Sequence, residues 1–309
     1  MTKKSATPKR RRAALAGGLA ATAAALAALL APGAAAAAPT ARPAPVKHGP
    51  LSVAYVEVND NELANVGHYT LKNGAPVFDI ALIFAANINY DGTKAQLYLN
   101  DQVQQTLDDA ATQIRPLQKK HIRVELSILG NHQGAGFANF PTKTAAADFA
   151  RQVTAVVNRY HLDGVDLDDE YADYGANGTP QPNQQSIGWL ISALRHDLPT
   201  KIVSFYDIGP SSTALNASSP AIGAQLSYAW NPYYGAYNPP LTPGLPRARL
   251  GAAAVDLQST PADTASALAR QTVADKYGVF VSYDLRAGDE SSYISSFTVP
   301  LYGQAAVYR

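Results

Sequence analysis

Asp166, Asp168 and Glu170 are three acidic side chains spaced two residues apart. On a β-strand such residues share one face, and neighbours in the trio would sit roughly 6–7 Å apart. Val165 and Leu167 then point to the opposite face, as a parallel strand covered by helices requires. Burial and mutual repulsion both disfavour the charged form of a carboxyl group. The spacing therefore favours a strand whose acids hold a proton for catalysis.

Two other interpretations of this acidic segment are a calcium-binding loop and a solvated turn. A helix-loop-helix calcium loop needs glycine at its sixth position and glutamate at its twelfth. Counted from Asp163, these positions are Asp168 and Tyr174, so the template fails. A solvated turn leaves the alternation of Val165 and Leu167 unexplained. The residue types favour a catalytic strand over both.

The first 38 residues have the three-part layout of a secretory signal peptide. A basic start is followed by an apolar run from Ala13 to Leu30, then by Pro32-Gly33 and alanines that offer cleavage sites. An uncleaved membrane anchor is the competing interpretation, because the run approaches the length that spans a bilayer. The helix-breaking Pro-Gly favours cleavage. Residues 39–50 are predicted to form a Pro/Ala-rich linker, and residues 51–309 the catalytic domain.

The charge balance of the mature part is mildly acidic. The whole chain has 25 basic and 24 acidic residues, and residues 1–38 contain six of the basic residues and no acidic one. The remainder has no basic stripe for binding phosphates, so no nucleic-acid partner is expected. The chain has no cysteine, which excludes disulfides and thiolate sites. Its six histidines form no pair at helical spacing, so a zinc enzyme is not expected.

Strand-like and helical segments alternate from about residue 50 onward, and eight strands in about 250 residues are typical of a TIM-type (β/α)8 barrel. The candidate strands are Ser52–Val58, Phe78–Ala86, Arg123–Leu129, Gly164–Asp168, Lys201–Tyr206, Gln225–Trp230, Ala248–Leu257 and Gly278–Tyr283. The clearest helical patterns are Val103–Lys119, Thr144–Tyr160, Gln185–Asp197 and Pro261–Tyr277. Short polar segments after the fifth and sixth strands predict loops or helical turns there. An open doubly wound sheet is the alternative, but no glycine-rich phosphate loop follows the first strand.

Polar and aromatic residues follow nearly every predicted strand at its carboxyl end, where such barrels place their active sites. Amides and acids bond hydroxyl groups and flat rings stack on sugar faces, so these strand ends predict a carbohydrate cleft. The chain's 17 tyrosines against eight phenylalanines point the same way. Glu170, last of the trio, is nearest the mouth and is the candidate general acid. Asp168 lies on the same strand and so cannot activate water across the sugar, which favours a substrate that supplies its own nucleophile.

The run Asp163-Gly-Val-Asp166-Leu-Asp168-Asp-Glu170 resembles the D-G-x-D-x-D-x-E signature of glycoside hydrolase family 18. Three further runs look like the endo-β-N-acetylglucosaminidases of that family: Ser127–Phe140, Tyr171–Gly175 and Tyr228–Gly235. Family 18 departs from the usual pair of carboxylates, because its substrate assists the reaction. The resemblance extends from about Ser52 to the C-terminus.

The resemblance implies a role for each acid. Glu170 matches the proton donor, and Asp168 matches the aspartate that orients the 2-acetamido group and stabilises an oxazolinium ion. Asp166 matches the deeper acid that shares a proton with Asp168. Such enzymes cut between the two N-acetylglucosamines in the core of N-linked high-mannose and hybrid glycans, without a cofactor. The predicted substrate-binding residues are Asn131, Gln133, Gly134, Gly136, Phe137, Tyr171, Tyr206, Trp230, Asn231, Tyr233 and Tyr283.

Two alternative functions stay open on the same scaffold. A chitinase or chitobiosidase would release chito-oligomers and be indifferent to mannose. A non-catalytic glycan-binding barrel would lose the glutamate or the aspartates, and all are present here. The expected protein is a secreted, extracellular monomer whose partners are the N-linked oligosaccharides of glycoproteins, with no membrane association after signal cleavage.

Overall fold

The computed structural model describes residues 45–309, whose centre is a closed barrel of eight parallel strands. The strands are Leu51–Glu57 (β1), Ile80–Tyr90 (β2), Arg123–Gly130 (β3), Gly164–Asp168 (β4), Ile202–Tyr206 (β5), Tyr228–Trp230 (β6), Leu250–Asp256 (β7) and Val279–Tyr283 (β8). Each strand pairs with the next, and β1 pairs with both β2 and β8, which closes the sheet. The predicted TIM-type barrel is confirmed, and the open-sheet alternative is wrong because an open sheet leaves two edge strands unpaired.

Helices surround the barrel as its outer layer. The α-helices of the described part are Asp101–Asp108, Ala110–Gln113, Arg115–Lys119, Lys143–Arg159, Ser186–Asp197, Gly209–Asn216, Pro220–Gly223, Ala262–Ala274 and Ser291–Tyr302. Short 3-10 segments span Leu63–His68, Ala176–Gly178 and Arg247–Arg249. Within residues 45–309, no helix combines the length and the apolar character needed to cross a membrane.

The longest helix, Lys143–Arg159, shows how sequence specifies these outer elements. The Thr142 hydroxyl caps its start by accepting a hydrogen bond from the Ala145 amide at 3.1 Å. Phe149, Val153 and other residues at helical spacing are buried against the barrel. The helix therefore forms because its cap and its apolar stripe agree.

The predicted helix Val103–Lys119 is in fact three short helices. Asp109 ends the first of them and leaves the helical backbone region with φ −83° and ψ 26°. Pro116 lies in the first turn of the third, where its missing N–H costs nothing, but the same residue cannot continue a helix from the preceding turn.

The prediction of loops or helical turns is confirmed after β6, whereas after β5 it is wrong, because an eight-residue α-helix forms there. The helices Gly209–Asn216 and Pro220–Gly223 follow β5. The segment between β6 and β7 lies entirely within the described residues, and no α-helix forms there.

Four features were not expected from the sequence. The strand Ala95–Tyr98 pairs antiparallel with the end of β2, and Tyr69–Leu71 pairs antiparallel with the C-terminal strand Ala306–Tyr308. The helix Ser291–Tyr302 follows β8 and contains Pro300. A two-residue strand, Ala236–Tyr237, also lies between β6 and β7. The pairing of Tyr69–Leu71 with Ala306–Tyr308 joins segments far apart in the chain, so local sequence carries little signal of it.

The predicted signal peptide, residues 1–38, lies outside the described residues, as does most of the predicted linker. Of the linker, residues 45–50 are described. The Lys47 ammonium lies 2.5 Å from an Asp79 carboxylate oxygen and donates to the Val77 carbonyl at 2.6 Å. The same Asp79 oxygen accepts from the Ser52 amide at 2.7 Å, so this residue joins the segment before β1 to the barrel.

Alternate strand residues separate two apolar layers. On β1, Val53 and Tyr55 face the barrel interior together with Leu82 of β2, whereas Ala54 and Val56 face the helices. The interior layer is fully buried at Leu82. It forms the floor beneath the carboxyl ends of the strands, where functional side chains lie in this fold.

We predict that Leu82→Ala lowers the free energy of unfolding by about 2–5 kcal/mol, because the barrel interior cannot collapse around the lost side chain. Leu241→Ala is the matched control, since Leu241 is 77% exposed and its loss should change stability by less than about 0.5 kcal/mol. Urea titrations of both variants measure the difference. Equal stability of the two variants would contradict the assigned interior layer.

Candidate active site

The acidic trio lies on and just beyond β4, with Asp166 and Asp168 inside the barrel. Asp166 is fully buried and Asp168 is 1% exposed, whereas Glu170 is half-buried at the mouth. Val165 and Leu167 pack in the outer layer between barrel and helices. The strand therefore adopts the alternation that the sequence predicts, with acids inside the barrel and apolar residues facing the helices.

Asp166 is surrounded by hydroxyl groups from three neighbouring parts of the barrel. Its carboxylate accepts hydrogen bonds from Tyr55 at 2.8 Å, Ser127 at 2.9 Å and Ser204 at 2.7 Å. Strand register makes two of these contacts possible, because Ser127 and Ser204 are the direct neighbours of Asp166 on β3 and β5. Burial raises the pKa of Asp166, and the three donors oppose that rise by stabilising the anion.

Asp168 has a different environment, although it is only two residues away. Burial and the negative charges of Glu170 and Asp166 raise its pKa well above the usual range of an aspartate. One of its oxygens accepts a hydrogen bond from the Glu170 amide at 3.2 Å. Asp168 is therefore the acid of this pair that more readily holds a proton at neutral pH.

Glu170 is the trio's solvent-facing member. Its side chain lines the cleft, and partial burial raises its pKa. A raised pKa keeps a glutamate protonated to higher pH, which is the state that a general acid needs. Glu170 and Asp168 thus place two carboxyl groups on one wall of the cleft.

The cleft above these acids has a volume of about 650 Å³. Four of the sequence-predicted binding residues line it, namely Tyr171, Tyr206, Tyr233 and Tyr283. Tyr171 is 55% exposed and Tyr233 52% exposed, which leaves two aromatic rings open to solvent at the mouth. Exposed rings beside polar groups form a surface suited to sugars, whose faces are apolar and whose edges carry hydroxyls.

Trp230 and Asn231 are fully buried and do not line the cleft, and Phe137, also fully buried, packs on Phe149 in the layer between barrel and helices. The indole N–H of Trp230 donates to the Tyr55 hydroxyl at 2.8 Å, so Trp230 holds the tyrosine that bonds Asp166. The Asn231 amide donates to backbone carbonyls, including that of Ala252 at 3.1 Å. Trp230 therefore acts on the acids through Tyr55, and Asn231 joins the end of β6 to β7.

The remaining predicted binding residues lie in the loop after β3. Asn131 donates to Asn89 at 2.9 Å, and Gln133 accepts from the Tyr90 amide at 3.0 Å. Gly134 has a positive φ of 85°, and a side chain there would collide with the backbone of Ala176. A side chain at Gly136 would collide with Tyr174. In this structure both glycines allow the β3 loop to pack closely on the loop after β4.

Asp169 is a site residue that sequence reasoning missed. It points away from the trio, is 4% exposed, and accepts hydrogen bonds from the Phe137 amide at 3.3 Å, the Ser211 amide at 2.8 Å and the Tyr174 hydroxyl. Burial raises its pKa to about 6. Asp169 therefore joins the loops after β3, β4 and β5 into one wall. Its position between Asp168 and Glu170 gave no separate signal in the sequence.

Further cleft residues were also outside the predicted set, among them Glu57, Asn87 and Tyr234. Tyr234 stacks on Tyr283 with ring centroids 4.9 Å apart, and Tyr283 donates a hydrogen bond to Glu57. Glu57 ends β1 and Asn87 lies near the end of β2, so the rule of strand ends was sufficient to find them. Tyr234 follows β6 by several residues and needed the tertiary structure.

Within residues 45–309, no group of three or more His, Asp or Glu side chains has an arrangement suited to a metal ion. The chemistry open to the described groups is proton transfer from Glu170, charge stabilisation by Asp168 and hydrogen bonding by the surrounding hydroxyls and amides.

A closed (β/α)8 barrel with an acidic strand at its mouth defines a class of glycoside hydrolases, and the comparisons agree. The model of glycosyl hydrolases family 18 matches residues 53–230. The chain belongs to glycoside hydrolase family 18. The prediction of a family 18 glycoside hydrolase is therefore confirmed.

Two relatives are endo-β-N-acetylglucosaminidases. One, from Flavobacterium sp. (strain SK1022), is 67% identical over 273 residues, covering 88% of this chain and 87% of the relative. The other, endo-β-N-acetylglucosaminidase F1 from Elizabethkingia meningoseptica, is 33% identical over 82% of this chain and 79% of its own length. Both identities extend well beyond the acidic strand.

A solved structure shows the same fold. EndoBT-3987 of Bacteroides thetaiotamicron, crystallised with Man5GlcNAc product, superposes with a TM-score of 0.72 at 24% identity. The match covers 86% of this chain and 63% of that chain.

Gly130 positions Glu170, and we predict that Gly130→Ala lowers kcat about 100-fold while the protein stays folded. The Gly130 amide donates to the Glu170 carbonyl at 3.0 Å, and an added Cβ would lie 2.6 Å from the Ala172 nitrogen. The loop must move away, and a shift of about 1 Å in a catalytic group costs on the order of 100-fold.

Gly188→Ala is the matched control, because its added Cβ would meet its neighbours at 3.7 Å or more. Steady-state kinetics together with circular dichroism separate misplacement from unfolding. Wild-type kcat in Gly130→Ala would contradict this account of how Glu170 is held.

Proposed function

We propose that this protein is a secreted endo-β-N-acetylglucosaminidase that hydrolyses the GlcNAc-β-1,4-GlcNAc bond in the core of N-linked high-mannose and hybrid glycans. The observation that carries the proposal is the placement of Asp168 and Glu170 side by side on one wall, beneath a cleft with exposed tyrosines. The names of the two relatives support the bond that is cut. Two structures of EndoBT-3987, one with Man5GlcNAc product and one with Man9GlcNAc2Asn substrate, support the type of glycan.

The proposed reaction begins with Glu170, which gives its proton to the oxygen of the glycosidic bond. The carbonyl oxygen of the substrate's own 2-acetamido group attacks the anomeric carbon and forms an oxazolinium ion. Asp168 orients the acetamido N–H and balances the positive charge. Asp166 lies beneath Asp168, and its three hydroxyl donors stabilise its anion, so that a proton shared by the two acids resides more readily on Asp168.

Water then attacks the anomeric carbon from the face that the leaving sugar left, with Glu170 as the base. Two displacements at one carbon retain its configuration. Ordinary pairs of carboxylates lie across the scissile bond, roughly 5–9.5 Å apart. Asp168 cannot take that position, since it shares a strand with the proton donor. This geometry favours substrate assistance.

The decisive assay for substrate class is incubation with a denatured high-mannose glycoprotein. We expect an electrophoretic shift that leaves a single N-acetylglucosamine on asparagine, identified by mass spectrometry. Colloidal chitin is the parallel substrate. Hydrolysis of chitin without cleavage of the glycoprotein would instead indicate a chitinase or chitobiosidase on this scaffold.

We predict that Glu170→Gln lowers kcat by about 10²–10⁴-fold, the usual contribution of general acid catalysis. Asp168→Asn should be comparably damaging while glycan binding, measured by calorimetry, is retained. Glu62→Gln is the control, because Glu62 is exposed and does not line the cleft. A covalent sugar ester trapped on Glu57, or inverted anomeric product by NMR, would replace substrate assistance with a two-carboxylate mechanism.

Secretion is part of the proposal and rests on residues 1–38. The basic start, the apolar run and the alanine-rich end support cleavage by a signal peptidase. N-terminal sequencing of the protein exported by its host tests it, with a new N-terminus after one of Ala34–Ala38 expected. We also propose that the protein is a monomer, which light scattering checks by its molar mass in solution.

A further inference from the structure

Glu125 is a buried carboxyl group that the proposed reaction does not use. It lies inside the barrel on β3 with no exposed surface, two residues before Ser127. Its register neighbour on β4 is Gly164, where an added Cβ would collide with Ile202 of β5. One carboxyl oxygen accepts from or donates to the Ser204 hydroxyl at 3.0 Å, and the other has no hydrogen-bond partner among the described residues.

Ser204 connects Glu125 to the acidic trio. Its hydroxyl oxygen lies 3.0 Å from Glu125 Oε2 and 2.7 Å from Asp166 Oδ1. A hydroxyl carries one hydrogen and can donate to only one of two carboxyl groups. The second contact is a hydrogen bond only if that carboxyl group is protonated and donates to the serine oxygen. A proton on Glu125 or on Asp166 satisfies both contacts and relieves the repulsion between two buried carboxylates that share one donor.

The surroundings place that proton on Glu125 in the resting enzyme. Asp166 accepts from Tyr55 and Ser127 as well as Ser204, so its anion is the better stabilised. Burial and the charge of Asp166 raise the pKa of Glu125 well above the usual range. The other charged groups facing it are Arg123, which lowers its pKa, and Asp163, which raises it. Both act with smaller effect than burial.

We propose that Glu125 is a fourth acid of the site, a positioning residue that is neutral at rest and exchanges its proton with Asp166 through the Ser204 hydroxyl. In the exchange the Glu125 O–H bond breaks as its proton moves to the serine oxygen. The original serine proton moves to Asp166, which becomes the neutral acid while Glu125 becomes the anion. Serine ends as it began, and the number of protons is unchanged.

The effect of this proton exchange on the reaction rests on the proposed function. Asp168 must be able to carry negative charge when the oxazolinium ion forms, and that is easier if neighbouring Asp166 is neutral at that moment. A proton delivered from Glu125 moves the negative charge one layer deeper into the barrel, away from Asp168. Glu125 thus acts on the reaction through Ser204 and Asp166, without contacting the sugar.

The first test measures whether Glu125 is protonated in the folded protein, and it needs no substrate. A carboxyl group whose pKa is raised in the folded state retains its proton where the unfolded chain has lost it, so stability falls as pH rises above the unfolded value of about 4.3. Glutamine in Glu125→Gln cannot ionise. We expect the unfolding constant of Glu125→Gln, from urea titrations between pH 4 and 8, to fall relative to that of the wild type as pH rises, by up to about tenfold per pH unit. Parallel curves would overturn the proposal.

The second test is the pH profile of kcat/KM on whichever glycan the enzyme cleaves. At the alkaline limb Glu125 of the wild type begins to ionise, and its charge then raises the pKa of the neighbouring acids, whereas glutamine brings no such charge. We expect the alkaline limb of Glu125→Gln to move to lower pH by about one unit, the coupling of interacting buried carboxyls, with KM at the optimum unchanged. If the alkaline limb stays in place while the stability curves diverge, Glu125 is a purely structural acid and the proposal is overturned.

Glu290→Gln is the matched control for the kinetic arm. Glu290 is a half-buried glutamate whose pKa is also raised by burial, but it bonds Gln258 outside the cleft. Its substitution should alter stability with pH and leave the kinetic profile in place. A shift equal to that of Glu125→Gln would show that the limb follows stability, which also counts against the proposal.

Ser204 variants keep the proposal testable if Glu125→Gln does not fold. Ser204→Thr retains the hydroxyl, whereas Ser204→Ala removes the link and one donor to Asp166. We expect Ser204→Ala to lower kcat about tenfold or more, as for a lost hydrogen bond to a charged group, and Ser204→Thr to restore it. Equal activity of both with wild type would overturn the exchange. If only the glycoprotein assay fails, the stability test of Glu125 is unaffected. The proposed function and the proposed proton exchange can therefore fail separately.

Discussion

The burial of like charges is the constraint on which the rest of this structure depends. Asp166 and Asp168 lie almost without solvent inside the barrel, where an unpaired carboxylate is unfavourable. The barrel offsets this cost unevenly. Asp166 receives three hydroxyl donors, whereas Asp168 receives one backbone amide and faces the charge of its neighbours. The same strand therefore carries an acid that tolerates ionisation and one that resists it, which is the asymmetry that acid catalysis requires.

Strand register is the means by which these donors reach Asp166. Ser127, Asp166 and Ser204 are direct neighbours on three successive strands, so their side chains lie at one level of the barrel interior. Tyr55 reaches the same carboxylate from β1 and is itself held by Trp230. A layer of side chains contributed by several strands is rigid, because each strand is fixed by hydrogen bonds on both sides. Asp166 is thus held in a layer to which β1, β3 and β5 all contribute.

The wall of the cleft is more exposed than its floor. The loops of this wall are joined by one buried carboxyl group, that of Asp169. Asp169 accepts hydrogen bonds from loops that follow three different strands, and close packing at Gly134 and Gly136 brings two of those loops together. Tyr171 and Tyr233 then extend from this wall into solvent. A rigid frame with open rings suits a substrate that is itself branched and flexible, since only the bond near Glu170 must be held in one geometry.

The amino-acid sequence by itself determined the barrel and its catalytic strand. Alternation of apolar residues located eight strands, and the spacing of Asp166, Asp168 and Glu170 located the chemistry, because both signals are local and repeat with the period of a strand. Only the tertiary structure decided which groups surround those acids. Ser204 and Glu125 lie far from Asp166 in the chain and look like ordinary strand residues, and their meeting depends on register and closure. Long-range pairing leaves no periodic trace in a single sequence, so the partners of the buried acids had to be observed.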